Sequence, residues 1–331
     1  MAARHYIPFV PLAAVPLGYH LGIVWCLPLV LIAAFTALDA IFGVGSETRG
    51  SVHAPLAHRF VPWLYIPLQL AALLWGAAVA GETHDAGDLF GLAIALGLLT
   101  GIFGMLAAHE MIHSPRRWER LLGLAMLSVV GYAHFAISHR LGHHRRGATF
   151  EDPATARRGE SAYRFLLRSI AGQIGEARAI ERRRYAARGN RLLRFAAVSL
   201  TIYAALGVAF GMAALIFQLT ASAVAIVVLE LFNYVAHYGL LRARRADGTV
   251  EPFRPCHAWN VPRRFNNWAQ LNDGWHSDHH ARPATPYEQL RPVGGTPVLP
   301  AGYAGSILLA LVPPLWRRVM NPRLDRLALL A

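Results

Sequence analysis

Long apolar stretches are the feature that most constrains the fold of this 331-residue chain. A helix needs about 20 mostly apolar residues to cross a bilayer, where no water can pair with free backbone groups. Such stretches predict six transmembrane helices, at about 7–22, 23–43, 61–80, 88–108, 195–217 and 219–237. Only 15% of the residues are charged, against about 25% in soluble domains. We therefore predict an all-α, polytopic membrane protein that forms a single integral-membrane domain, 1–331.

The positive charge is carried entirely by arginine, and its distribution predicts the orientation in the membrane. Cytoplasmic loops carry an excess of basic residues. Segment 114–194 contains 17 arginines, whereas the loop GETHDAGD at 81–88 contains none. With six spans, both termini and the loop carrying Arg49 and Arg59 face the cytoplasm. The segments 109–194 and 238–331 then form a cytoplasmic cap.

One further apolar segment, 121–138, tests this topology. If it crossed the membrane, the histidines before it and those after it would lie on opposite sides. We therefore predict a helix that lies at, or dips into, the cytoplasmic interface.

Nine of the 16 histidines fall in four compact groups, and this pattern predicts a metal site at the cytoplasmic ends of the spans. The groups are His109 and His113; His139, His143 and His144; His237; and His276, His279 and His280. On regular α-helices, positions 139 and 143 would share one face, as would 276 and 280. Imidazole suits zinc, copper, iron and nickel. Because a mononuclear zinc site uses three or four ligands, nine donors predict two metal ions.

Two readings of a different class stay open at this point. HEMIH at 109–113 is by itself the signature of a zinc metalloprotease, with Glu110 as the base. Such a protease would leave about six of the other histidines unused. A membrane metal carrier without enzymatic activity is the second alternative.

The histidine motifs as a set resemble those of a known family. HEMIH, HRLGHH, NYVAHYGL and HSDHHA, together with EDPATARRGES at 151–161, are similar to motifs of the integral-membrane alkane 1-monooxygenases, or alkane hydroxylases. That family lies within the membrane fatty-acid desaturase/hydroxylase superfamily, and the resemblance extends to about residue 323. It implies a non-haem di-iron centre that hydroxylates an unactivated C–H bond, at a terminal methyl group of a substrate such as an n-alkane. The implied co-substrate is O2, and the implied electron donor is rubredoxin or ferredoxin.

The resemblance also implies roles for individual residues and a location. All nine grouped histidines would be iron ligands. Glu110 and Asp278 lie inside matching motifs, and we expect them to orient imidazoles through the second ring nitrogen. The implied location is the bacterial inner membrane, with the site on the cytoplasmic side. A fatty-acyl desaturase or hydroxylase, or a xylene-type alkylaromatic monooxygenase, is the alternative within the same superfamily.

Three residues depart from the family pattern beside these motifs. Ser114 stands where the family usually has lysine, and Ser138 and Ala236 stand where it usually has glutamate. All nine histidines are kept, so the departures bear on alkane specificity and on tuning of the irons rather than on metal binding.

The sequence offers candidates for a substrate channel and for a partner surface. An apolar substrate would enter from the bilayer, and the channel candidates are Trp25, Trp63, Trp75, Phe103 and Met105, although ordinary packing is the usual role of such residues. A basic face would steer an acidic redox protein, and the candidates are Arg116, Arg117, Arg145, Arg146 and Arg182 to Arg184. Contact with membrane lipid explains the same arginines equally well. No nucleic-acid-binding module is recognised.

Overall fold

The computed structural model describes residues 2–45, 56–185 and 190–329, and within these ranges the fold is helical, with isolated β-bridges and no strand. The helices are α1 Phe9–His20, α2 Leu27–Phe42, α3 Leu56–Glu82, α4 Ala86–His113, α5 Arg117–Val129, α6 135–146, α7 Ala162–Tyr185, α8 Arg191–His237, α9 Arg264–Ala269, α10 His276–Ala281, α11 Tyr303–Ala310 and α12 Pro313–Ala328. Short 3-10 helices occupy Ala2–Tyr6, Pro255–His257 and Tyr287–Gln289. Arg49 lies outside the described residues.

Three of the described helices are long and apolar enough to cross a membrane, namely α3, α4 and α8. They have 27, 28 and 47 residues. The predicted spans 7–22 and 23–43 correspond to α1 and α2, which have only 12 and 16 residues. The chain is thus an all-helical membrane protein, and six complete spans stay a prediction.

Helix α8 folds back on itself at Gly211. The hydroxyls of Tyr203 and Ser222 lie 3.2 Å apart, whereas a straight helix would separate these residues by about 28 Å. Gly211 has φ 84° and ψ −178°, a conformation open essentially to glycine alone. The halves 191–210 and 212–237 therefore form a helical hairpin at the position of the two predicted spans. The predicted spans placed the reversal at residue 218, between 217 and 219. The structure places it at Gly211, because the conformation of this glycine turns the chain without a separate loop.

Replacing Gly211 with alanine is expected to destabilise this hairpin by about 1–3 kcal/mol, because a Cβ is strained in that conformation. Thermal unfolding in detergent should show a lower midpoint for Gly211→Ala. The matched control is Gly207→Ala, since a Cβ there would lie 3.8 Å from the Cδ2 of Leu215, an ordinary contact. Equal midpoints for the two variants would contradict this account of the turn.

Helix α4 packs closely against the second half of α8 in the core of the bundle. A Cβ at Gly97 would lie 2.8 Å from the carbonyl oxygen of Ala221, and one at Gly101 would lie 2.6 Å from the Cβ of Val228. Only glycine permits backbones this close. These contacts also show that the two helices run in parallel, so His113 and His237, at their carboxyl ends, lie at the same end of the bundle.

The apolar segment 121–138 enters the bundle and returns. Helix α5 ends at its tip, where the carbonyl of Ser128 accepts a hydrogen bond from Ser199 at 2.8 Å, and that of Val129 accepts one from Gln218 at 3.0 Å. The chain then turns back through α6, whose His139 meets His109 of α4. The segment therefore begins and ends at the histidine end of the bundle, while its position at the cytoplasmic interface stays a prediction.

Candidate metal centre

The nine grouped histidines converge into two sets of potential metal ligands. In each set, one ligand atom from every histidine lies within 4.8 Å of the others. The first set is His109, His113, His139, His144 and His279, and the second is His143, His237, His276 and His280. Carboxylates belong to neither set. The predicted nine residues thus meet in one place, divided five and four.

The spacing of the ring nitrogens in the first set fits metal coordination. The Nε2 atom of His139 lies 2.8 Å from that of His109, 2.9 Å from that of His144 and 3.1 Å from that of His113. A ring nitrogen has one proton or one lone pair, so it cannot make three hydrogen bonds at once. Two imidazole ligands at right angles, each about 2.1 Å from a metal, would lie about 3.0 Å apart.

The second set shows the same convergence. The Nε2 atoms of His143 and His280 lie 3.2 Å apart, and those of His237 and His276 lie 3.1 Å apart. The Nε2 atom of His279, in the first set, is buried and has no hydrogen-bond partner among the described residues. Buried nitrogens without partners are costly, and a bound cation in each set would use them.

A π-helical turn at Ser138–His143 decides which histidine joins which set. A π turn closes its hydrogen bonds between residues five apart, and such turns are frequent at functional sites. His139 and His144, five apart, therefore share the first set, and His143 joins the second. The prediction that 139 and 143 share one face assumed a regular α-helix; the structure has a π turn there, and the two histidines belong to different sets. In α10 the regular spacing holds, because His276 and His280 share the second set.

Burial favours the neutral form of four of the nine grouped histidines. For His139, His144, His279 and His280, removal from water lowers the imidazole pKa well below its usual value, and the neighbouring histidines lower it further. Neutral imidazole is the form that binds a metal. The site therefore offers lone pairs near neutral pH without first losing protons.

Asp152 holds one of the ligands in place. Its Oδ2 lies 2.8 Å from Nδ1 of His143, and it accepts further hydrogen bonds from the Thr155 hydroxyl and the Ala154 N–H. Burial alone would raise the pKa of Asp152, but His143 and these donors outweigh burial and lower it. The carboxylate thus fixes the proton of His143 on Nδ1 and leaves Nε2 free for metal.

Replacing Asp152 with alanine is expected to weaken metal binding by about 10–100-fold, the usual effect of removing such a partner. Titration with a chelator, followed by metal analysis, measures this. The matched control is Glu151→Ala, because Glu151 is the neighbouring carboxylate, is exposed, and forms its ion pair with Arg244 on the surface. Equal metal retention in the two variants would contradict the role of Asp152.

The two carboxylates expected from the motifs make other contacts. An oxygen of Glu110 accepts the N–H of Tyr287 at 3.2 Å. Asp278 pairs with Arg282, at 2.5 Å, and accepts the N–H of Arg291. Both carboxylates therefore lie near the site, and they bind residues of segment 282–291 to the helices that carry the histidine motifs. Among the described residues, neither carboxylate forms a hydrogen bond with an imidazole.

The three departures from the family pattern are accommodated locally. Ser114 donates a hydrogen bond to the carboxylate of Glu119. Ser138 is fully buried, with its hydroxyl 3.5 Å from Oε1 of Gln173. Ala236 is also fully buried, in an apolar cluster beside His237. Both positions are closely surrounded by other residues, so the larger side chain of a glutamate at 138 or 236 would require these neighbours to move.

An apolar cavity of about 420 Å³ ends at the histidines. His109 and His139 of the first set and His276 of the second lie in its wall. The remainder is formed mainly by aliphatic and aromatic side chains of α2, α4, α8 and α11. Two of its lining residues, Val227 and Leu308, are 39% and 41% exposed. The cavity wall is thus apolar and is not fully sealed by the surrounding side chains.

The channel candidates from the sequence lie elsewhere. Trp25, Trp63, Trp75, Phe103 and Met105 are absent from the described lining of this cavity. Phe103 and Met105 belong to the core, and Trp75 contacts the ring of Tyr19. Trp63 lines a separate pocket of about 190 Å³ that also reaches His113. Aromatic character alone could not identify the lining, which is mostly aliphatic.

Comparisons with known proteins agree on one family. The family model for fatty acid desaturases matches residues 88–305. The chain is 36% identical to an alkane 1-monooxygenase of Ectopseudomonas oleovorans, over 89% of this chain and 77% of that protein. It is 37% identical to alkane 1-monooxygenase 1 of Pseudomonas aeruginosa, over 78% of this chain and 70% of that protein. It is 25% identical to the hydroxylase component of xylene/toluene monooxygenase from Pseudomonas putida, over 95% of this chain and 86% of that protein.

Proposed function

The chain belongs to the alkane 1-monooxygenase family of fatty-acid-desaturase-type membrane oxidoreductases, and from this premise we propose that it hydroxylates a terminal methyl group of an n-alkane. The observation that carries the proposal is the apolar cavity that ends at two sets of converging histidines. An alkane has no polar group, so an aliphatic wall is the chemistry that would hold it.

We propose iron as the metal in both sets. His109, His113, His139, His144 and His279 would hold one ion, and His143, His237, His276 and His280 the other. Iron held in this way would supply the activation of O2 that attack on an unactivated C–H bond requires. The histidine-only donor sets fit a divalent first-row metal that accepts imidazole.

The protein's own contribution is to position the substrate and exclude water. The aliphatic wall aligns the alkane along the cavity, so that only the end beside His109, His139 and His276 approaches the reacting centre. Holding reactants in such a geometry contributes strongly to rate. Asp152 keeps His143 in one orientation throughout.

We further propose that a small acidic redox protein, rubredoxin or ferredoxin, delivers the electrons at an arginine-rich face. Several arginines near the histidine end are exposed, which supports this proposal. They are Arg116, Arg117, Arg145, Arg182, Arg183 and Arg184. Opposite charge speeds such encounters. The same arginines favour a cytoplasmic position for the site at the bacterial inner membrane, by the positive-inside rule.

The test is product analysis under 18O2. Purified, iron-loaded protein is supplied with a rubredoxin system and with separate n-alkanes, alkylaromatics and fatty acyl compounds. The expected product is a primary alcohol that carries one 18O atom, formed fastest from an n-alkane. An alkene without 18O would indicate a desaturase instead, and a benzylic alcohol as the main product would indicate a xylene-type enzyme.

A further inference from the structure

Two buried polar side chains at the histidine end of the cavity lack hydrogen-bond donors. Asp273 and Gln270 are 3% and 4% exposed, and both line the cavity. Oδ2 of Asp273 and Oε1 of Gln270 have no hydrogen-bond partner among the described residues. Nδ1 of His276 lies 3.6 Å from Oδ2 of Asp273, within the range of an ion pair but beyond hydrogen-bond distance, and this nitrogen also has no hydrogen-bond partner among the described residues.

The turn that carries Asp273 has an unusual backbone. Leu271 and Asn272 have φ values of 48° and 54°, and they are two of the three non-glycine residues with positive φ among the described residues. Each such residue costs about 1–3 kcal/mol and persists only where its surroundings hold it. Here the Tyr303 hydroxyl donates to the Asp273 carbonyl at 3.2 Å, and the Asn272 amide donates to the Tyr287 carbonyl at 3.1 Å. Strain maintained in this way is typical of a site that positions a ligand-binding group.

Both free atoms are hydrogen-bond acceptors, and this limits what could satisfy them. Leaving a buried acceptor unpaired is costly, and more so for a carboxylate. An alkane has no donor to offer. Its hydroxylated product has one O–H group, on the carbon that was held at the histidine end of the cavity.

We propose that Asp273 and Gln270 form an acceptor site for the hydroxyl group of a primary alcohol, the product of the reaction assigned above. The inference rests on the proposed function for the identity of the alcohol. The binding preference that it predicts does not depend on turnover. The cavity should bind a long primary alcohol more tightly than it binds the alkane of the same length. Two other polar side chains of the cavity wall are engaged, since the Asn233 amide donates to Glu230 at 3.2 Å and the Tyr303 hydroxyl donates to the Asp273 carbonyl at 3.2 Å.

The test is binding without turnover. Iron-loaded protein, without an electron donor, is equilibrated with the fluorescent hydrocarbon diphenylhexatriene, which dodecane or 1-dodecanol then displaces. We expect the ratio of alkane to alcohol dissociation constants to fall by about tenfold or more in Asp273→Leu, the size of a lost hydrogen bond to a charged acceptor. Gln270→Leu should lower the ratio by a smaller factor. The control Ile307→Ala, on the aliphatic wall, should change both constants alike.

Measurements of iron content and of turnover distinguish a failure of this inference from a failure of the proposed function. We expect Gln270→Leu to retain the iron content of the unmodified protein, whereas the iron content of Asp273→Leu is measured beside its binding ratio because Asp273 lies 3.6 Å from His276. Unchanged ratios in both variants would overturn the inference, as would loss of iron from Asp273→Leu together with an unchanged ratio in Gln270→Leu. Because binding is measured without reduction, an enzyme that forms no alcohol would refute the proposed function and leave this binding result standing.

Discussion

Replacing His237 with alanine is expected to reduce bound iron from two ions per chain to about one and to lower hydroxylation by more than about 100-fold. His237 is fully buried, and its Nε2 lies 3.1 Å from that of His276 in the four-histidine set. The substitution leaves three imidazoles for that metal. Since loss of a mere hydrogen-bonding partner of a ligand costs about 10–100-fold, loss of a ligand should cost more.

Metal analysis and product formation on the same sample measure both parts of this effect. The control is His84→Ala, because His84 is exposed in the loop between α3 and α4, far from the histidine end. It should keep two irons and full activity. A His237→Ala protein that retained both irons and normal turnover would remove His237 from the metal site.

Filling the far end of the cavity is expected to change which alkanes are accepted. Ala223 lines the cavity about 21 Å along α8 from His237, at about 1.5 Å per residue. Ala223→Trp would place an indole where the distal end of a long chain lies. Turnover of hexadecane should fall by about tenfold or more, while turnover of octane should change by less than about twofold, because hydrophobic pockets discriminate by such factors per few methylenes.

Competition between the two alkanes in one reaction measures this ratio directly. Val208→Trp is the matched control, since Val208 lies in the same helical hairpin, is 90% exposed and is not among the cavity-lining residues. It should leave the ratio unchanged. An equal loss for both alkanes in Ala223→Trp would mean that the cavity is not the substrate path.

The sequence predicted which histidines converge better than it predicted how they are divided between the two sets. Spacing and topology were enough to select nine histidines, because ionisable groups at the ends of apolar spans are rarely incidental. Their division depends on the π turn at Ser138–His143, which pairs His139 with His144. A π turn contains one residue more than an α-helical turn. A single sequence that is interpreted with α-helical periodicity gives no indication of this additional residue. The convergence also argues against a lone zinc on His109 and His113.

The choice of carboxylates shows the limit of considering only residues that lie inside the histidine motifs. Glu110 and Asp278 were selected because they adjoin histidines in the chain. Asp152, which does contact an imidazole, reaches His143 across a loop. The segment EDPATARRGES, already singled out by its family resemblance, was the available signal for it.

The parts of the fold that depend on the length of an apolar stretch were predictable from the sequence. The parts that depend on single residues were less predictable. The long stretches predicted the helices, and the return of segment 121–138 followed from the need to keep the histidines together. The reversal at Gly211 and the aliphatic cavity wall depend on backbone conformation and on packing between distant helices. Neither leaves a periodic trace in the sequence.

The central claim is that two irons are bound in one membrane protein, one by five histidines and one by four. Anomalous difference maps from crystals of the iron-loaded protein, recorded on both sides of the iron absorption edge, test it most directly. The account predicts two iron peaks, one within the set that contains His139 and one within the set that contains His237. A single peak, or peaks that persist below the iron edge as another metal would give, would contradict it.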